Sequence, residues 1–197
     1  MQAIVFNSKI KCNKKLHLGC GTRNLPGWKH FDIRKLDEHI DYVGSADDLS
    51  QFEDNSIDEI YAYHLLEHFG RNDIGNVLTE WNIVLKKDGI LRIAVPDFEA
   101  VAAEYSKNHE LNKLMGLLYD RQDYKFNYHY VAFDFDTLKG HLEKCGFVNC
   151  ERYDWRDFLP KGYGDGSRAY LPHMDFENGR MMSLNITARK YIFDDFV

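Results

Sequence analysis

Short apolar runs alternate with polar, turn-rich segments through the first half of the chain. Residues 15–18 predict a short strand running into Gly19-Cys20-Gly21. Residues 30–33 and 41–43 predict two more, and residues 58–63 a fourth, after the turn-forming Asp54-Asn55-Ser56. Across residues 72–86, Ile74, Val77, Leu78, Trp81, Val84 and Leu85 recur three to four apart, the spacing of a helix with one apolar face. Asp88-Gly89 ends that helix, and residues 90–95 are an apolar run typical of a buried parallel strand, closed by Pro96. Residues 97–107, 111–118 and 136–144 read as helices, the last capped by Asp136 and followed by Gly146. Residues 147–153 and 182–188 read as strands, joined by an unusually long loop, 157–180. Strands alternating with helices imply an α/β fold, a mostly parallel sheet with helices on its faces. No linker or repeat interrupts the pattern, so a single domain is expected over residues 1–197.

Composition narrows the function classes. An apolar fraction of 44% suits a folded core. No window approaches the roughly 18 apolar residues of a membrane span, and residues 1–6 are too short for a signal peptide. Cys12, Cys20, Cys145 and Cys150 lack C-x-x-C spacing, so neither a zinc knuckle nor a disulfide framework is expected and no resident metal is assigned. A cytoplasmic enzyme with no membrane partner is the resulting expectation. A net charge of −6 argues against a nucleic-acid partner. The basic group Lys9, Lys11, Lys14 and Lys15 reads as a solvated lead-in to the first strand.

The chemistry is expected just after strands, where ligands of open α/β sheets bind. Gly19-Cys20-Gly21 follows the first strand, and glycines there let backbone approach a ligand closely. Asp32 ends the second strand, where a carboxylate can accept both ribose hydroxyls, with Ile33 beside it for an adenine face. Only about a dozen residues separate Gly21 from Asp32. That leaves no room for the helix whose N-terminus holds a dinucleotide's pyrophosphate.

The runs KLHLGCG, FDI, DLSQFEDNSIDEIYAYHLLEHF, LKKDGILRIAVPD and FDFDTLKGHLEKCGF, in that order, resemble small class I S-adenosylmethionine-dependent methyltransferases of the type 11 kind. SLNITARK is similar to that family's closing antiparallel strand. The resemblance implies a Rossmann-like seven-stranded sheet, mostly parallel with an antiparallel last strand and helices on both faces. It implies S-adenosylmethionine as cofactor, S-adenosylhomocysteine as product, and a methyl acceptor that is a small molecule or sugar-like, methylated on oxygen or nitrogen. Carried over by position, His17, Gly19, Cys20, Gly21, Asp32, Ile33, Ser45, Ala46, Asp47, Tyr63 and His64 would face the cofactor. Many members have an acid where this chain has His17, a third glycine where it has Arg23, and an aspartate where it has Ser45. Asp47 or Asp48 is then the candidate for the adenine amino group. These departures keep open a module that binds cofactor without turnover.

His64-Leu65-Leu66-Glu67-His68 also fits H-x-x-E-H, an inverted zinc-protease signature, which on a helix would put two histidines on one face with Glu67 as base. Its third ligand would come from a later helix, Glu99 or Glu104. As a methyltransferase the chain needs position above all, and a base only when the acceptor must lose a proton. His64, His68 and His129 are the candidates for that role. Asp97 reads as a helix cap or an acceptor contact. The aromatic run from Tyr119 to Phe135, which includes Tyr124 and Phe126, reads as packing, as the wall of an acceptor pocket or as a lid, and loop 157–180 as an acceptor-side flap or an arm for a homodimer.

Overall fold

The computed structural model describes residues 14–191. Residues 1–6, Lys9, Lys11 and Cys12, read above for a leader, a basic cluster and a thiol, lie outside the described residues. Among the described residues nine strands form, β1 (Lys15–Leu18), β2 (Lys29–Asp32), β3 (Tyr42–Val43), β4 (Ile57–Tyr63), β5 (Leu85–Pro96), β6 (Phe147–Arg152), β7 (Tyr170–Leu171), β8 (Arg180–Met181) and β9 (Ser183–Lys190). The α-helices among the described residues are α1 (Ile74–Val84), α2 (Phe98–Asn108), α3 (Met115–Tyr119) and α4 (Phe135–Lys144). The main sheet has seven strands in the order β3-β2-β1-β4-β5-β9-β6. All its pairings are parallel except those of β9, which runs antiparallel to both β5 and β6. β7 and β8 make a separate two-stranded ribbon inside the long loop.

Strand alternation splits the burial between two faces. Leu16 and Leu18 of β1 join Ile60, Ala62, Leu91, Ile93 and Val95 under α1 and α4, which contribute Val77, Leu78, Trp81, Leu138 and Leu142. The opposite face of β1 and β4 carries His17, Tyr61 and Tyr63. Aromatic side chains of short loop segments cover it, Trp28 from one side and Trp155, Phe158 and Tyr163 from the other. The β1–β2 connection is too short for a helix, so rings fill the space that one would occupy. Among the described residues no helix is long and apolar enough to cross a membrane.

The structure departs from the sequence pattern in three places. α1 stops at Val84, and Leu85 is already extended (φ −67°, ψ 140°), pairing with Ile57 as the first residue of β5. Lys190 on β9 accounts for this: its Nζ donates to the carbonyls of Asn82 (2.7 Å) and Leu85 (2.9 Å), groups that a continuing helix would have bonded itself. The cap of α4 is Asp134, which accepts from Thr137 N at 2.8 Å, so Asp136 lies inside the helix. Residues 111–118 break into a 3-10 turn (Leu111–Lys113) followed by α3.

Candidate functional site

The sheet order reverses between β1 and β4, and a cleft of about 700 Å³ opens at the carboxyl ends of β1, β2 and β4. Its floor is the turn after β1. Gly19 has φ +60°, and a Cβ there would lie 2.8 Å from Leu65 Cδ1. Gly21 also has positive φ, and its N–H donates to Asp32 Oδ2 at 2.8 Å. Asp32 Oδ1 accepts from Arg34 N at 3.0 Å. Two backbone donors therefore fix the carboxylate, one per oxygen, and each oxygen keeps a second lone pair for a ligand. Beyond β3, Ser45, Ala46 and Asp47 line the next stretch of wall. α1 holds that loop in place, with the Trp81 indole N–H donating to Ala46 O at 2.7 Å and Glu80 accepting from Leu49 N.

Across the cleft from Asp32, Tyr63 donates its hydroxyl to Cys20 O at 3.3 Å, and burial holds its pKa well above the ordinary phenol value. His64 follows with φ 43°, so the chain turns sharply out of β4 and continues into the single 3-10 turn Leu66–His68. This turn and residues 117–130 are tied together by backbone. Tyr130 N donates to Glu67 O (2.8 Å), and the Nδ1 atoms of His68 and His129 bond the carbonyls of Tyr128 (3.1 Å) and Leu117 (2.9 Å). The result is a cluster in which Glu67 Oε1 lies 3.8 Å from both His64 Nδ1 and His129 Nε2. Asp120 Oδ2 stands 3.8 and 3.9 Å from the Nε2 atoms of His129 and His68. Burial, with the neighbouring imidazoles, lowers His64 to about 3, and burial likewise lowers His68 and His129, so all three are neutral at neutral pH. Burial, with Asp120 nearby, raises Glu67 to about 8.

The cleft gathers Gly19, Gly21, Asp32, Ile33, Ser45, Ala46, Asp47, Tyr63, His64, His68 and His129, although they come from six separate stretches of chain. His17 is not among its lining residues. It is fully buried on the opposite face of the sheet, its ring stacked on Tyr61 at 5.0 Å, with neither nitrogen hydrogen-bonded among the described residues. The Cys20 side chain is also buried away from the cleft; only its carbonyl, held by Tyr63, is near. Asp97 caps α2 by accepting from Glu99 N and Ala100 N, and pairs with Arg152, outside the cleft. The helical H-x-x-E-H arrangement does not form, because His64 and His68 do not share a helix face. Glu99 and Glu104, its supposed third ligands, pair instead with Arg152 and Arg180.

Arg23, Tyr124 and Phe126, already singled out in the glycine motif and the aromatic run, lie on the cleft wall, where pattern reading missed Arg34 and Asp120. No local signal marks them; the aromatic density of residues 119–135 was the only hint. Loop 157–180 packs onto the body rather than standing free. Asp165 accepts from the Tyr61 hydroxyl (2.7 Å), and Asn185 donates to Ser167 O (2.8 Å).

A family model described as a methyltransferase domain (Methyltransf_11) matches residues 28–93, the third of the chain that holds Asp32, residues 45–47 and the turn at 64–68. No curated protein matches the chain in sequence. Solved structures share its fold. A Methanosarcina mazei S-adenosylmethionine-dependent methyltransferase superposes with a TM-score of 0.57 at 16% identity, covering 98% of this chain and 99% of its own. An Archaeoglobus fulgidus S-adenosylmethionine-dependent methyltransferase gives 0.55 at 17%, with 91% and 86% covered. A Haloferax volcanii methyltransferase solved in complex with its Trm112 activator gives 0.54 at 13%, with 92% and 83% covered. The strand order and the solved structures agree on the fold of class I S-adenosylmethionine-dependent methyltransferases, and residues 28–93 match the methyltransferase domain family within it.

Proposed function

We propose that this protein is an S-adenosylmethionine-dependent methyltransferase acting on an oxygen or nitrogen atom of a small or sugar-like acceptor, held between Tyr63 and the histidine cluster. The observation that carries the reading is the shape of the cleft. From the Gly19–Asp32 end, which suits a nucleoside, it continues past Tyr63 to a polar end lined by His64, His68, His129 and Asp120.

The residues at the first end fit S-adenosylmethionine. Gly19 and Gly21 present backbone without side chains to the cleft there, and each oxygen of Asp32 keeps a lone pair for a ribose hydroxyl. Asp47 would take the adenine amino group, Ile33 an adenine face, and Arg23 the amino-acid carboxylate on the cleft rim. Bound there, the cofactor would supply an electrophilic methyl carbon, with the thioether sulfur as leaving group, to the acceptor's lone pair. The acidic wall and the Tyr63 ring favour the sulfonium's positive charge. The chain's remaining task is to hold the acceptor atom about 3 Å from that carbon and in line with it. A hydroxyl acceptor must also lose a proton, and the neutral imidazoles of His68 and His129, whose Nδ1 atoms are held by carbonyls, can accept one at Nε2.

Calorimetric titration with S-adenosylhomocysteine, followed by an acceptor screen beginning with sugars and small hydroxylated metabolites, tests the reading. Saturable cofactor binding with methylation of one of these supports it. Binding without turnover on any of them would instead identify a cofactor-binding module.

A further inference from the structure

We infer that Glu67, His68 and His129 form a binding site for a divalent transition-metal ion at the acceptor end of the cleft. One ligand atom from each lies within 4.8 Å of the other two. Atoms bonded to one ion at 2.0–2.2 Å can stand at most about 4.2 Å apart. The 3.8 Å pair of Glu67 Oε1 and His129 Nε2 already lies inside that limit, and the widest pair must close by roughly an ångström to reach tetrahedral spacing.

Two independent features point to a cation. Glu67 is fully buried, and neither carboxylate oxygen has a hydrogen-bond partner among the described residues, an arrangement that is costly without a compensating charge. The imidazoles around it stand at 3.8 Å, too far to donate to it and well placed to share an ion with it. The second feature is the orientation of the histidines. His68 and His129 both direct Nδ1 to a backbone carbonyl, which fixes the tautomer and leaves Nε2 as the free lone pair. Metal-binding histidines are held in this way by their outer partners.

Two imidazoles and one carboxylate favour a borderline ion such as Zn²⁺, Co²⁺ or Mn²⁺ over Mg²⁺, which prefers oxygen ligands. Three protein ligands leave coordination positions free, and His68, His129 and Asp120 line the cleft, so those positions face the acceptor. There the ion would draw in an acceptor hydroxyl and make it a stronger acid, its proton leaving to solvent. That role rests on the function proposed above and favours oxygen over nitrogen; the site itself does not depend on it.

The test uses the full chain stripped with chelator, then titrated with ZnCl₂, MnCl₂ and MgCl₂ and analysed for metal content. One equivalent of Zn²⁺ or Mn²⁺ should bind, more tightly than Mg²⁺, and H129A or E67Q should weaken it at least about tenfold. H173A, far from the cluster, should leave it unchanged. Co²⁺ should give the visible absorption of a site with imidazole ligands, altered in H68N. S-adenosylhomocysteine affinity, measured with and without metal, reports separately on the cofactor end and on folding of each variant. No saturable Zn²⁺ or Mn²⁺ binding by folded protein, or binding indifferent to both H129A and E67Q, overturns the site. Metal binding together with absent cofactor binding would leave the site standing and remove only its role towards an acceptor.

Discussion

Arg34 and Tyr124, ninety residues apart, meet across the mouth of the cleft. The guanidinium lies 4.1 Å from the ring centroid and its Nη2 donates to the phenol oxygen at 2.9 Å. Because Arg34 N also bonds Asp32, the wall that would hold the ribose is linked directly to the segment that carries His129. A stacked, hydrogen-bonded contact of this kind at a half-exposed site is worth about 1–2 kcal/mol.

Tyr124→Ala should therefore weaken S-adenosylhomocysteine binding by several-fold, and Tyr124→Phe, which keeps the stacking, by less. Calorimetry on both variants orders them. Equal affinities in all three proteins would mean that the contact does not close over the cofactor.

Asp32→Ala should cost about 1.5–3 kcal/mol of S-adenosylhomocysteine affinity, since two hydrogen bonds to a charged acceptor disappear. The melting temperature of each variant separates this loss from damage to the Gly21 turn. Unchanged affinity in folded protein would remove Asp32 from the ribose role.

Gly19→Ala combines a left-handed backbone with a Cβ 2.8 Å from Leu65 Cδ1. A penalty of about 1–2 kcal/mol follows from the backbone alone, and the melting point should drop by roughly 2–8 °C in a chain of this size. Leu65→Ala in the same chain relieves the clash and should recover part of the loss. If Gly19→Ala melts like the parent, the turn tolerates a different backbone.

His17 carries a pH signature. Burial, reinforced by His30 and His39, lowers its pKa well below 6.5, and neither ring nitrogen has a hydrogen-bond partner among the described residues. Its contribution to stability is therefore complete above pH 6.5. It is lost as pH falls towards the folded value, because the unfolded chain takes up a proton that the folded one refuses. The loss is about 1.4 kcal/mol per pH unit. Urea unfolding of His17→Leu should show a shallower fall in stability between about pH 6.5 and 5; identical slopes in the two proteins would contradict this account.

Much of this molecule is legible along the chain because its signals are local. Short runs bounded by turn residues mark β1, β4 and the core of β5, and three-to-four spacing marks α1, whose buried face its own residues define. Gly19, Gly21 and Asp32 are readable for the same reason: strand ends and turns depend on neighbours in sequence. Where α1 ends was not readable, since Lys190, more than a hundred residues away, decides which carbonyls the helix keeps.

The sequence by itself determined the α/β class, the order of motifs and the acid placed after β2. Only the tertiary structure decided which face of the sheet each side chain occupies. His17 belongs to a motif that points to a cofactor, yet strand alternation turns it to the far side, against Tyr61. The H-x-x-E-H run suggested a helical pair, yet the left-handed turn at His64 separates its histidines and brings His129 from sixty residues later to Glu67. Burial and long-range proximity are properties of the packed chain, and a carboxylate acquires histidine neighbours only when both segments have folded against the same sheet.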